Sequence, residues 1–422
     1  MVHNKLLLLY CFVLATLSIN VFFQPLMAAI VGDNDPLVVE TKQGRVKGFI
    51  ATSPHGKTVE IFYGIPYAEP PLGKLRFQQP VEKQPWADVL QATIKPNSCV
   101  QTANVAYDNF SGITMWNPNT KLSEDCLKLN VWVPRRTSKQ DKLAVLVWIY
   151  GGAFSSGTST LDLYDASTLV SEENVIAVSM NYRVASFGFL SFGDELVPGN
   201  AGLHDQRLAL KWVKDNIGAF GGDENRITIF GESAGALSVG FHLLSPFSRN
   251  LFTRAIFQSG SPTASWASYD NASARKQAKA LAVALKCSDA LNNNTLQCLL
   301  NKEAKEIVKN EKHASGIVSY TFLPVYDGDF ITNFTQVMSD GRNFRNDTTV
   351  LLGTNANEGS TFLEYFLGLP TTREPDEVTE EQFTTVIKAL NPVIGEPSSG
   401  QDIGSVRRRH TLDNRREVEC FG

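Results

Sequence analysis

The chain has 422 residues, 43% hydrophobic and 19% charged, with a formal net charge of −4 at pH 7. That balance excludes a disordered chain, a collagen-like repeat and a coiled coil, and with no basic patch it gives nucleic acid nothing to bind through counterion release. Six cysteines are too few for a disulfide-held miniprotein, so the composition points to a soluble globular protein with a large core.

From the N-terminus, Lys5 precedes an apolar run over residues 6–23, broken only by Thr16, Ser18 and Asn20; Pro25 and the small pair Ala28-Ala29 follow. A basic start, an apolar stretch and a small-residue cleavage site read as a secretory signal over residues 1–29. The run nearly reaches spanning length, which would also suit an uncleaved anchor; Ala28-Ala29 favours cleavage. No later stretch of the sequence is long and apolar enough to span a bilayer. A secreted, extracellular chain makes the cysteines readable. Cys11 leaves with the signal, Cys99–Cys126 and Cys287–Cys298 are the local pairs, and Cys420 is odd. In the loop-entropy model the first closure contributes about 3–4 kcal/mol and the second about 3. Sequons at Asn109, Asn271, Asn293, Asn333 and Asn346 fit an exported glycoprotein.

Residues 37–40 and 44–48 read as short edge strands around a glycine turn. Residues 144–150 and 175–180 are continuous apolar runs of the kind that parallel strands buried on both faces require. Residues 205–217 carry Leu208, Leu210, Trp212 and Val213 in the spacing of an amphipathic helix. Strands at 226–230 and 254–258 follow, then Ala-, Lys- and Glu-rich helical excursions over 271–312, then a strand at 349–353. Strands alternating with helices predict an α/β fold with a mainly parallel sheet. Residues 30–406 read as one domain without repeat or dividing linker; residues 407–422 read as an aberrant basic tail, from a frameshift, an alternative exon or a premature end.

The strongest chemical signal is Gly231-Glu232-Ser233-Ala234-Gly235, which follows the strand 226–230 and opens a helix-like run over 236–244. In a strand–turn–helix elbow the flanking glycines relieve crowding, and a strained serine projects its Oγ above the sheet. The Ala234 N–H then supplies one oxyanion donor, and the loop Gly151-Gly152-Ala153-Phe154 after the strand ending at Tyr150 supplies others. A triad acid belongs at the end of a later strand, where Glu358 stands in Asn355-Ala356-Asn357-Glu358-Gly359.

These residues together resemble the type-B carboxylesterase family and its cholinesterase branch, from about residue 37 to about residue 390. Residues 124–131 look like one family signature and residues 230–240 like the other. Met115-Trp116-Asn117-Pro118-Asn119 resembles the choline-binding segment of that branch. The resemblance implies an α/β-hydrolase fold, no cofactor and no metal, and hydrolysis of a small choline ester through an acyl-enzyme. It assigns Ser233 and Glu358 to the triad, and Gly152, Ala153 and Ala234 to the oxyanion hole. Physics supports Trp116 in its assigned role, because a quaternary ammonium is attracted to an indole face by about 2 kcal/mol or more when desolvated. Glu232, beside the serine, adds a negative charge near the same cation. The positions resembling the acyl pocket are Trp266, Val318, Tyr320 and Phe362; Val318 stands where many relatives carry a phenylalanine, which implies room for longer acyl groups. The rim positions Thr102, Asn104 and Ser155 lack aromatic and acidic residues, which implies weak inhibition by peripheral-site ligands.

One part of the triad is not legible. The family's histidine lies beyond the acid, and among His3, His55, His204, His242, His313 and His410 only His410 follows Glu358, in surroundings unlike the family's motif. Loss of such a base costs on the order of 10⁶ in kcat. The expectation is a hydrolase fold incomplete at its C-terminus, with negligible turnover by residues 30–422. A general carboxylesterase, and a non-catalytic adhesion or ligand-sequestering protein, are the alternatives. The oligomeric state is not legible.

Overall fold

The computed structural model describes residues 35–103, 111–135, 142–264, 266–314, 321–331, 347–356, 358 and 381. The signal reading (1–29) and the basic tail (407–422) lie outside them. The described part of the domain is built on one mixed sheet. Its strands in chain order are β1 (Phe49–Thr52), β2 (Thr58–Pro66), β3 (Lys128–Pro134), β4 (Leu143–Ile149), β5 (Ile176–Met180), β6 (Gly222–Glu232), β7 (Arg254–Gln258) and β8 (Thr349–Gly353). They lie side by side in the order β8-β7-β6-β4-β5-β3-β2-β1.

From β5 to β8 every neighbouring pair is parallel, and from β5 to β1 every pair is antiparallel. The parallel half agrees with the sequence reading, strand for strand. The antiparallel strands β1, β2 and β3 were not anticipated as strands, although Leu129, Val131 and Val133 alternate with Asn130 and Trp132 in the period of two that marks one. Residues 38–40 and 45–47 do pair antiparallel, but in a separate small sheet.

Burial follows position in the sheet. β5 is buried along its whole length, as expected for a central strand covered on both faces. β4 instead alternates between buried and half-buried, with Val145, Val147 and Ile149 in the core. Its other face is covered by rings rather than sealed: Trp148 packs on Tyr164 at 5.1 Å and on Phe230 at 4.9 Å. β8 is exposed throughout, with Leu352 at 73%, because it is the outermost of the described strands.

The helices in chain order are α1 (Ser111–Thr114), α2 (Ser167–Glu173), α3 (Ala185–Phe189), α4 (Ala201–Asn216), α5 (Ala234–Leu244), α6 (Asn271–Ala284), α7 (Asn293–Leu300) and α8 (Ala304–Glu311). α4 starts four residues before the amphipathic pattern does, and its polar residues His204, Asp205 and Gln206 are buried too. Asp205 is tolerated there because Arg183 grips it with Nε at 2.8 Å and Nη2 at 2.7 Å, while the Arg183 N–H donates to it at 3.0 Å. A buried charge persists only when paired and hydrogen-bonded in this way. Helices α6 to α8 form the expected excursions and close a second apolar cluster around Phe187, Phe189 and Leu281.

Both local disulfides form, Cys99–Cys126 with Cα atoms 5.0 Å apart and Cys287–Cys298 at 5.8 Å. Arg76 joins the first disulfide loop to the helical excursion: it holds Glu124 bidentately at 2.6 and 2.7 Å and donates to the carbonyls of Leu299, Leu300 and Lys302. Among the described residues no helix is long and apolar enough to cross a membrane.

Candidate active site

Parallel pairing brings four strand ends to one edge of the sheet. Ile149 of β4 is in register with Gly231 of β6, Glu232 of β6 with Gln258 of β7, and Gln258 with Gly353 of β8. The chain therefore leaves all four strands on the same side. Gly151-Gly152-Ala153 follows β4, Ser233 follows β6, Ser259 follows β7, and Glu358 stands a few residues after β8. Open α/β sheets bind their ligands outside such carboxyl ends.

Ser233 has φ 54° and ψ −124°, a conformation that a residue with a side chain holds only under constraint. Its N–H donates to the Gln258 carbonyl at 2.9 Å, and its own carbonyl accepts the Leu237 N–H at 3.0 Å as α5 begins. The glycines make this turn possible for a concrete reason. A Cβ on Gly235 would lie 2.1 Å from the Ile149 oxygen, one on Gly231 2.5 Å from the Gly235 carbonyl carbon, and one on Gly260 2.6 Å from the Ser233 oxygen. Half-buried at the mouth of the turn, Ser233 has no hydrogen-bond partner for its Oγ among the described residues.

The loop after β4 presses against this elbow. A Cβ on Gly151 would sit 2.6 Å from the Glu232 backbone oxygen, 2.8 Å from Glu232 Oε2 and 3.1 Å from Ser233 Cβ. Gly152 (φ 107°), Ala153 (φ 54°) and Phe154 (φ 58°) then run in succession through positive φ. The Gly152 carbonyl is turned away to accept Ser155 and Ser156 N–H groups at 2.9 and 3.0 Å. Among the described residues no protein group accepts the N–H of Gly152, Ala153 or Ala234. Free N–H groups beside a serine Oγ are the arrangement that stabilises a developing oxyanion.

Glu358 is held by two donors, Ser259 Oγ at 2.5 Å and the Asn355 N–H at 2.7 Å. Ser259 is itself fixed by its N–H on the Gly353 carbonyl at 2.9 Å. Glu232 is open to solvent as a residue, yet protein crowds its carboxyl. That loss of water pushes its pKa above the ordinary carboxylate range, and the charge of Glu358 pushes in the same direction. The edge of the site thus carries two carboxyl groups within electrostatic reach of each other.

No described histidine bonds to Ser233. His242 is fully buried in α5, with Nδ1 2.8 Å from Ser248 Oγ and Nε2 3.0 Å from Gln206 Oε1. Burial lowers its pKa to about 3, and lowers that of His204 to about 4, so both are neutral at pH 7. His55 is exposed and contacts Glu172 at 3.1 Å; His313 is exposed just beyond α8. His3 and His410 lie outside the described residues. Among the described residues there is no cluster of metal-ligating side chains.

Trp116 is 48% exposed, on the turn that ends α1. Its loop is stitched to the segment that continues the β4 loop: Asn119 exchanges hydrogen bonds with Thr160 at 2.7 and 2.8 Å, and Gln101 exchanges two with Gly157, both at 2.7 Å. Trp266 is half-buried against the helical cluster, whereas Val318, Tyr320 and Phe362 lie outside the described residues. At the rim Thr102 is exposed and Ser155 half-buried; Asn104 is not described. Asn271 and Asn293 are exposed at the first positions of α6 and α7, while Asn109, Asn333 and Asn346 fall outside the described residues. Sequence reasoning missed Ser259. The signal was available in its place directly after a parallel strand, but a serine there carries no motif.

Residues 35–412 match the family model described as the carboxylesterase family. The acetylcholinesterase of Electrophorus electricus is 47% identical over 369 residues, covering 86% of this chain and 58% of that protein. The acetylcholinesterase of Danio rerio is 47% identical over 358 residues, with 83% and 56% covered. The cholinesterase of Mus musculus is 48% identical over 335 residues, with 78% and 55% covered. The chain therefore spans less than two thirds of the length of the relatives it matches.

Proposed function

The chain belongs to the carboxylesterase family, and from that premise we propose that it is a serine hydrolase of choline esters, acetylcholine among them. The observation that carries this reading is the convergence of Ser233, the free N–H groups of the β4 loop and Glu358 at one edge of the sheet, with an exposed indole on the adjoining loop.

In this mechanism Ser233 Oγ attacks the ester carbonyl carbon and gives its proton to the triad base, the histidine that the family resemblance pairs with Glu358 and that none of the described histidines supplies. The carbonyl oxygen becomes an oxyanion held by the N–H groups of Gly152, Ala153 and Ala234. Collapse expels choline, which takes the proton back from the base, and leaves Ser233 acylated. Water then releases the acid by the same steps in reverse roles. Trp116 attracts the quaternary ammonium through its ring face, and the carboxylate of Glu232 adds a negative potential. The family resemblance assigns Trp266, Val318, Tyr320 and Phe362 to the acyl pocket, where a valine at 318 favours acceptance of butyryl esters, and it assigns Thr102, Asn104 and Ser155 to a rim whose residue types favour weak binding of peripheral-site ligands. The signal-like composition of residues 1–29, the two disulfides and the sequons at Asn109, Asn271, Asn293, Asn333 and Asn346 support an extracellular glycoprotein.

Calorimetric titration with choline and with its neutral isostere 3,3-dimethylbutanol tests the substrate class without requiring turnover. The expected result is a preference for the cation of about 30-fold, corresponding to about 2 kcal/mol, lost in Trp116→Ala. Equal affinity for the two would point to a general carboxylesterase. Cation binding together with acetylthiocholine hydrolysis indifferent to Ser233→Ala would point to a non-catalytic, ligand-sequestering relative.

A further inference from the structure

The β4 loop does not stand alone in its strained conformation. The Phe154 carbonyl accepts the Ala185 N–H at 2.6 Å, and the Phe154 ring meets Phe189 edge-on at 5.0 Å. Both contacts come from α3, so this short helix is the floor beneath the loop. Ala185 has φ 53°, and a five-residue helix entered through such a residue cannot hold its own position by internal hydrogen bonds. Its start must be fixed from outside. One fixture is the Arg183–Asp205 pair just before it. The helix's own rings, Phe187 and Phe189, pack into the second apolar cluster, and at its first turn Glu311, the last residue of α8, accepts the Ser186 N–H on Oε1 at 2.9 Å.

We propose that Glu311 is a positioning residue for the oxyanion loop, holding the start of α3 so that the Ala185 N–H fixes the Phe154 carbonyl and orients the N–H groups of Gly152 and Ala153. A carboxyl 8% exposed is costly to bury, and nothing in the motif-bearing part of the sequence calls for it. Burial pushes its pKa up to about 7, so either protonation state is accessible at neutral pH, and each presents an oxygen to the Ser186 N–H. An amide oxygen at the same place should therefore serve equally well.

The oxyanion role of the loop rests on the hydrolase reading, but the positioning itself can be read without turnover. Amide hydrogen exchange of the full chain reports Ala185, Ser155 and Ser156, whose N–H groups are the bonded donors of the floor and the loop. Glu311→Leu should speed their exchange on the order of tenfold, while Val145 and Val147 in β4 keep their protection. Glu311→Gln should restore wild-type rates. If Glu311→Leu does not fold, Glu311→Asp, whose oxygen is set back by roughly 1.5 Å, should give a smaller but still local increase. Unchanged rates at Ala185, Ser155 and Ser156, an equal rise at β4, or failure of Glu311→Gln to restore protection would each overturn the proposal. Such a failure leaves the hydrolase reading standing, and absence of hydrolysis leaves the exchange result standing.

Discussion

At the scale of single residues, the elbow is specified by what is missing from its glycines. The Gly235 Cβ position lies 2.1 Å from backbone oxygen, which no side-chain rotation can relieve. Gly235→Ala should therefore destabilise the protein by about 1–3 kcal/mol, read as a fall in the urea midpoint, because β4 and α5 must separate. Gly218→Ala is the control: its Cβ would meet nothing closer than Glu224 Oε2 at 3.8 Å, so stability should change by less than about 0.5 kcal/mol. Equal effects at the two glycines would sink the steric account. The pattern Gly-x-Ser-x-Gly was readable because it is a local consequence of this crowding. Ser259 was not readable, since its role depends on Glu358 lying 99 positions away in sequence and 2.5 Å away in space.

At the scale of elements, α4 and α5 share a buried polar seam in which His242 bonds Gln206 and Ser248, Gln206 bonds Ser238, and Ser238 bonds the Ala234 carbonyl. His242 has its pKa lowered by burial first and then by the nearby charges of His204 and Arg207. A lowered folded pKa means that the unfolded chain binds the proton first. The stability from His242 is present above pH 6.5 and is lost as pH falls toward about 3, at up to about 1.4 kcal/mol per pH unit. His204 adds a slope of the same sign down to about 4. Glu311, raised from 4.5 to about 7, opposes them, because its contribution is lost as pH rises through that window. Glu232, whose pKa is also raised, opposes them in the same way, so the informative quantity is the change in slope on removing one histidine. Between pH 6.5 and 4.5, His242→Gln should remove a loss of stability of up to about 1.4 kcal/mol per pH unit, read from urea unfolding at each pH; an unchanged slope would contradict the assignment. At the same scale, the Cys99→Ala/Cys126→Ala double variant should lose about 3–4 kcal/mol, and cation binding at Trp116 should weaken with it. Full retention of both would show that the hydrogen bonds of Gln101 and Asn119 hold the loop unaided.

At the scale of the whole molecule, the parallel strands were legible because each is a separate apolar run bounded by turns, whereas their order in the sheet was not. The antiparallel half was harder to read, because β2 is interrupted by a register shift between Phe62 and Ile65, which breaks its alternation. The site was legible to the extent that it is local: the elbow, the Gly-Gly loop and the acid after a late strand each follow their own strand. What fixes those loops, Glu311 through α3 and Ser259 through β7, comes from distant parts of the chain and carries no pattern of its own.

The central proposal is that this sheet edge presents Ser233 as a nucleophile toward choline esters. Acetylthiocholine hydrolysis by the 422-residue chain, measured with and without added imidazole beside the Ser233→Ala variant, tests it most directly. The account predicts hydrolysis by the wild-type chain, with imidazole or without it, that Ser233→Ala abolishes. Hydrolysis that persists equally in Ser233→Ala would contradict it.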